Sequence, residues 1–170
     1  MAQSSFVTLA KRTIETYIKE NRVIEAPSPV PAEMKSKAGV FVSLKMDGTL
    51  RGCIGTFEPT TDNIAHEVIR NAIAASTQDP RFPAVEENEL PKLEISVDVL
   101  SKPEIVASTK ELDAKKYGII VAGERRKGLL LPDLEGVNTP EEQIAICMRK
   151  AGIGENDVVQ LYRFEVKRYH

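Results

Sequence analysis

The sequence has little of what usually fixes a function at sight. Its two cysteines, Cys53 and Cys147, are too few for a disulfide framework, which points to a reducing compartment such as the cytoplasm. Its 23 Lys and Arg against 25 Asp and Glu leave a formal charge of −2. That balance argues against an electrostatically driven binder of nucleic acid or of a membrane surface. No apolar run approaches the roughly 18 residues of a membrane span. The opening stretch, Met1 to Lys11, lacks the basic start and the apolar length of a secretory signal. Spacings of the C-x-x-C and H-x-x-x-H kind are absent, and so are a calcium loop, a phosphate loop and the dinucleotide glycine signature. There is no internal repeat and no low-complexity tract. What is present, 170 residues with 42% apolar and 28% charged, suffices for one core without covalent staples. We expect a single domain over residues 1–170, with room for a small lobe inside it.

Hydrophobic spacing gives the elements. Phe6, Leu9, Ala10, Ile14, Tyr17 and Ile18 recur at helical intervals, predicting an amphipathic helix over Ser5–Glu20. Pro27, Pro29 and Pro31 follow as a stiff, extended connector. A hairpin is expected from Val40–Leu44 and Leu50–Phe57 around Asp47-Gly48. A three-residue loop, Met46-Asp47-Gly48, segregates the faces better than a two-residue one. It puts Val40, Val42, Leu44, Leu50 and Ile54 on one side with Gly52, and Phe41, Ser43, Lys45, Thr49, Arg51 and Cys53 on the other. A second helix should start at a cap on Thr61 or Asp62 and carry Ile64, Val68, Ile69, Ala72 and Ile73 inward. Leu93, Ile95, Val97 and Val99 alternate as in a half-buried strand, and Ile119–Ala122 and Leu129–Leu131 flank a basic tip. Thr139-Pro140-Glu141-Glu142 opens a third helix, whose inner stripe is Ile144, Cys147, Met148 and Ala151 and whose stop is Gly152. One strand, Val158–Tyr169, closes the chain. The fold class is α+β, a mostly antiparallel or mixed sheet packed with about three helices.

Leu50-Arg-Gly-Cys-Ile-Gly55 is the stretch with the most unusual composition. Glycine weakens a strand and is kept where a bulge forms, or where a ligand or a second backbone comes close. Gly52 and Gly55 are therefore candidates for substrate approach, and Cys53 between them for a nucleophile. In the preferred register Arg51 points the same way as Cys53, and a neighbouring cation favours thiolate over thiol. The plainer reading is a small hydrophobe packed between glycines. Gly52-x-x-Gly55 also matches an RNA-clamping loop in outline, but such loops join helices and this one lies in a strand. Asp79-Pro-Arg81-Phe82 holds a carboxylate and a guanidinium in a rigid loop, either to bind an anion through Arg81 or to pair internally. His66 reads as a surface helix residue, and a Cys53–His66 nucleophile–base pair would require proximity in space. Arg125-Arg126-Lys127 reads as a solvated turn in preference to a phosphate contact, and Cys147 as an inert core thiol.

Phe41-Val-Ser-Leu-Lys-x-Asp-Gly48, Leu50-Arg-Gly-Cys-Ile-Gly-Thr56, Asp79-Pro-Arg-Phe82 and Glu94-Ile-Ser-Val-x-Val-Leu-Ser101 together resemble the AMMECR family. Gly128-Leu-Leu-Leu-Pro-Asp133 and Lys150-Ala-Gly152 match it too, in the expected order, over about residues 6 to 166. The resemblance implies a compact α+β structure with a smaller lobe. It also implies a pathway shared with Memo-like, dioxygenase-fold proteins and radical-SAM proteins, and a prokaryotic form without a long N-terminal extension. Its signature falls on Leu50, Arg51, Gly52, Cys53, Ile54 and Gly55, and its second motif on Asp79, Pro80, Arg81 and Phe82; His66 lies outside both.

Two functions of different classes follow. The first is an enzyme or enzyme component using Cys53 as thiolate, activated by Arg51, on a small molecule whose anionic group Arg81 and Asp79 help to seat. The second is a non-catalytic module binding a nucleotide, nucleic acid or protein, with Cys53 only packing. A nucleic-acid binder should show a clustered basic face, and this chain offers scattered pairs and one basic tip. No cofactor is named by the sequence.

Overall fold

The computed structural model describes residues 3–170. In chain order come α1 (Ser5–Glu20), β1 (Val40–Met46), β2 (Thr49–Thr56), α2 (Ile64–Thr77), β3 (Glu94–Leu100) and β4 (Glu104–Val106). Then follow β5 (Gly118–Ala122), β6 (Lys127–Leu130), α3 (Pro140–Ala151), β7 (Gln160–Phe164) and β8 (Val166–Tyr169). The class is α+β, as expected, but the strands form two four-stranded sheets, β2-β1-β3-β8 and β4-β7-β5-β6. Two compact units result: one runs to Leu100 and includes Lys167–His170, the other is Ser101–Val166.

In the first unit, α1 has the expected bounds. The Ser4 hydroxyl accepts the Val7 amide at its start, and Asn21 ends it in the left-handed region with φ 50°. Phe6, Val7, Leu9, Ala10, Thr13 and Ile14 are buried along one face. α2 is capped by Asn63, which accepts the His66 amide, rather than by Thr61 or Asp62. Thr61 is already committed, since its amide and hydroxyl both turn to Glu67.

The hairpin departs from the expected register. Asp47 and Gly48 both adopt positive φ, 52° and 75°, and make a two-residue turn in which Met46 faces Thr49 and Lys45 faces Leu50. An irregularity then shifts the pairing, so that Leu44 faces Gly52, Ser43 faces Cys53 and Val42 faces Ile54. Arg51 is the extra residue of this bulge. The bulge restores the alignment that the short turn would have broken, so the expected faces hold from Gly52 onward. Leu50 is the exception: it lies opposite Lys45 and is exposed instead of sharing the apolar face. Val40, Val42, Leu44 and Val97 are fully buried beneath α1 and α2, which leaves Phe41, Ser43 and Cys53 on the opposite face of the sheet.

The second unit is built around β5, buried from Gly118 to Val121, with β6 and β7 on either side. α3 runs from its Thr139 cap to a left-handed Gly152 and buries Gln143 and Cys147 against the strands. Ile144 and Met148, expected on the inner stripe, are only half-buried. The expected closing strand is in fact two. Glu165 interrupts it by donating its amide to the Ser101 hydroxyl and accepting the Ser101 amide, so β7 and β8 serve different sheets. The short strand β4 carries no periodicity long enough to be read from sequence.

Candidate functional site

β2 is the outermost strand of its sheet, and an open strand edge leaves amides and carbonyls without partners. At Cys53 that edge is closed by the second sequence motif. The Cys53 amide donates to Asp79 Oδ2 at 3.0 Å, and the Cys53 carbonyl accepts from Arg81 Nη2 at 3.3 Å. Asp79 and Arg81 are themselves joined by three bonds: Nε to Oδ1 at 3.0 Å, Nη2 to Oδ2 at 2.8 Å and the Arg81 amide to Oδ1 at 3.0 Å. The Asp79 carboxylate is 2% exposed and the Arg81 side chain 55%. Arg81 hydrogen bonds hold the Asp79 carboxyl far below the usual carboxylate range against the opposing effect of burial, with the Cys53 and Arg81 amides adding to it. The same bonds raise the Arg81 guanidinium, and the side chain of Cys53 contributes least to that rise.

Arg51 has a different task. Its Nε and Nη2 grip both oxygens of Glu89 at 2.9 and 3.1 Å, and its Nη1 and Nη2 reach the Pro83 and Ala84 carbonyls. Both side chains of this pair are largely buried. Arg51 first, then the Glu86 amide, hold the Glu89 carboxyl below its ordinary value against burial. The bulge therefore throws Arg51 toward the loop that carries Asp79 and Arg81. Two motifs distant in sequence become one cluster, with Arg51 securing the far end of the loop and the Asp79–Arg81 pair securing the near end.

The Cys53 thiol is half-buried on the face away from the helices, with its Sγ 3.2 Å from Ser43 Oγ. Ser96 stands opposite Ser43 on β3. Arg81, rather than Arg51, is the cation whose contacts reach Cys53. The glycines have neighbours on hand. A Cβ on Gly52 would lie 2.2 Å from the Ala75 carbonyl oxygen of α2, and one on Gly55 would lie 2.2 Å from the Phe41 ring. The space over both is filled by the protein itself. His66 lies exposed on α2, its Nδ1 on Asn63, and α2 covers the other face of the sheet from Cys53, so no Cys53–His66 pair forms. Cys147 is fully buried, and burial pushes its thiol up to about 11. Among the described residues no group of His, Cys, Asp and Glu is arranged to hold a metal ion.

Sequence reasoning missed Glu67. It is fully buried, yet its carboxylate accepts from the hydroxyls of Thr56, Thr60 and Thr61 and from the amides of Thr60 and Thr61, all within 2.9 Å. Burial raises this carboxyl, and the hydrogen bonds outweigh it and bring it below its ordinary value. The signal was available: three threonines crowd the approach to a helix whose first turn carries a lone glutamate. The buried Asp98, paired with Arg168 through two bonds of 2.7 and 2.9 Å, was missed as well, because its partner is 70 residues away.

The profile of the AMMECR1 family matches residues 7–169, nearly the whole described chain. The chain belongs to the AMMECR1 family. A Thermotoga maritima protein is 54% identical over 172 residues, covering 99% of both chains. A Clostridium acetobutylicum protein is 52% identical over 166 residues, covering 96% of this chain but 35% of its own length. The crystal structure of an uncharacterized protein from Pyrococcus horikoshii superimposes with a TM-score of 0.84 at 33% identity, covering 96% of this chain and 88% of that one. In this AMMECR1-family chain the Arg51–Cys53 and Asp79–Arg81 motifs converge on one sheet edge. No helix among the described residues is long and apolar enough to cross a membrane.

Proposed function

We propose that this AMMECR1-family protein is an enzyme or enzyme component that acts on a small anionic molecule, with Cys53 as nucleophile and Arg81 holding the anionic end. One observation carries the reading: the Arg81 guanidinium is bonded to the Cys53 peptide, yet its side chain is 55% exposed beside a half-buried thiol. Among the described residues Nη1 of Arg81 has no partner, so this one nitrogen is open to donate to a carboxylate or phosphate. In the reaction the Cys53 sulfur gives its electron pair to an electrophilic carbon. The thiol proton leaves to water or with the displaced group, which takes the electrons of the broken bond. Ser43 is placed to hydrogen-bond the sulfur, and Arg51 positions the loop. Asp79 orients Arg81 without meeting the substrate.

A reactive free thiol calls for a reducing compartment, and we assign the activity to the cytoplasm. On the family resemblance we extend the proposal to a pathway shared with Memo-like and radical-SAM proteins. A non-catalytic module that approaches β2 over Gly52 and Gly55 has less support, since Ala75 and Phe41 occupy those approaches. The test is protection of Cys53 from iodoacetamide by phosphate or citrate, read by peptide mass. We expect either anion to slow labelling of Cys53, and Arg81→Gln to remove the protection. Equal labelling with and without both anions would overturn the reading of Arg81.

A further inference from the structure

We propose that the outer face of α3 is a dimerisation surface that takes α3 of a second copy of this chain in antiparallel fashion. The inner face of α3 is spent on Gln143 and Cys147, buried against the second sheet. On the outer face Glu141, Ile144, Ala145, Met148 and Arg149 follow at three- and four-residue intervals and line a groove of about 380 Å³ with Ile153 and Glu155. Ile144 and Met148 pack in part against the core of this unit and present the rest of their surface to the groove, while Ala145 between them is exposed and small enough for a second helix to approach closely.

Charge decides the occupant. Glu141 and Arg149 stand at opposite ends of the stripe, eight residues and roughly 12 Å apart along the helix, too far to pair with each other. Among the described residues neither side chain has an ion-pair or hydrogen-bond partner. A two-fold axis crossing the helix near Ala145 reverses the stripe. It sets Glu141 within reach of the partner's Arg149, and Arg149 within reach of the partner's Glu141, with Ile144 against the partner's Met148. The surface is thus complementary to itself, as an isologous contact requires. The antiparallel arrangement also opposes the two helix dipoles favourably. Two turns of helix bury less than the roughly 800 Å² per partner of a stable interface, so the dimer is weak and depends on concentration. This inference stands apart from the chemistry at Cys53.

Sedimentation equilibrium of the full chain, from about micromolar to about millimolar, tests it. We expect the dimer fraction to rise with concentration and fall with salt. Glu141→Arg and Arg149→Glu should each weaken association about three- to tenfold, and the double reversal should restore it. Ala145→Arg, at an exposed position that leaves the fold intact by circular dichroism, should abolish it. A chain that stays monomeric throughout would overturn the proposal and leave Glu141 and Arg149 only their complement to the dipole of their own helix. A dimer that ignores these substitutions, or a double reversal that weakens association further, would overturn it equally.

Discussion

At Gly52 an added methyl group would sit 2.2 Å from the Ala75 carbonyl oxygen, and backbone on both sides leaves little room to yield. Gly52→Ala should therefore destabilise the fold by about 1–3 kcal/mol, seen as a lower urea midpoint at unchanged slope. Glu67 is the counterpart among polar residues. Glu67→Gln keeps the shape but removes the charge that five donors share and sets an amide nitrogen against the Thr56 and Thr60 hydroxyls in place of Oε2, and should cost about 1–3 kcal/mol by the same measurement. The candidate site was partly legible at this scale. Cys53, Asp79 and Arg81 stood out because glycines and prolines mark out unusual backbone around them. Glu67 did not, because a glutamate in a first helical turn ordinarily serves the helix dipole at the surface.

Elements differed in how far local sequence decides them. α1 was readable to its last residue from its periodicity alone, and its cap and stop, Ser4 and Asn21, directly flank the segment. The β1–β2 hairpin was not, because its turn prefers one register and its apolar face another, and a bulge at Arg51 reconciles them. The partner that holds Arg51 in place, Glu89, is 38 residues away. The β7–β8 break likewise depends on Ser101, 64 residues from Glu165. From this we expect Arg51→Lys to loosen the loop although charge is kept, since a lysine cannot span both Glu89 oxygens and two carbonyls. Hydrogen exchange should quicken over residues 79–92 and stay unchanged in α1. Equal protection in the variant would show that the loop stands without Arg51.

For the whole molecule, acid is the informative perturbation. Asp79, Glu67 and Glu89 all have carboxyls lowered on folding, from ordinary values of 3.8 for Asp79 and 4.5 for the two glutamates. The unfolded chain therefore binds more protons than the folded one as pH falls through and below this range. Their stabilisation is complete above the ordinary carboxylate values and is lost as pH drops toward the folded ones. The melting temperature should decline from about pH 4.5 downward, and Glu67→Gln should flatten that decline. At this scale α+β was legible from the interleaving of helical and strand periods, while the division into two sheets was not, because it is set by strand pairings between distant segments. The central functional claim is a thiol at Cys53 that faces solvent beside an anion-holding Arg81. It is tested most directly by the ratio of iodoacetate to iodoacetamide labelling, with Cys147 as the internal control. We expect Cys53 to label in the native protein while Cys147 stays silent until unfolding, with iodoacetate favoured at Cys53 and that preference lost in Arg81→Gln. A Cys53 as silent as Cys147, or a ratio that Arg81→Gln leaves unchanged, would contradict it.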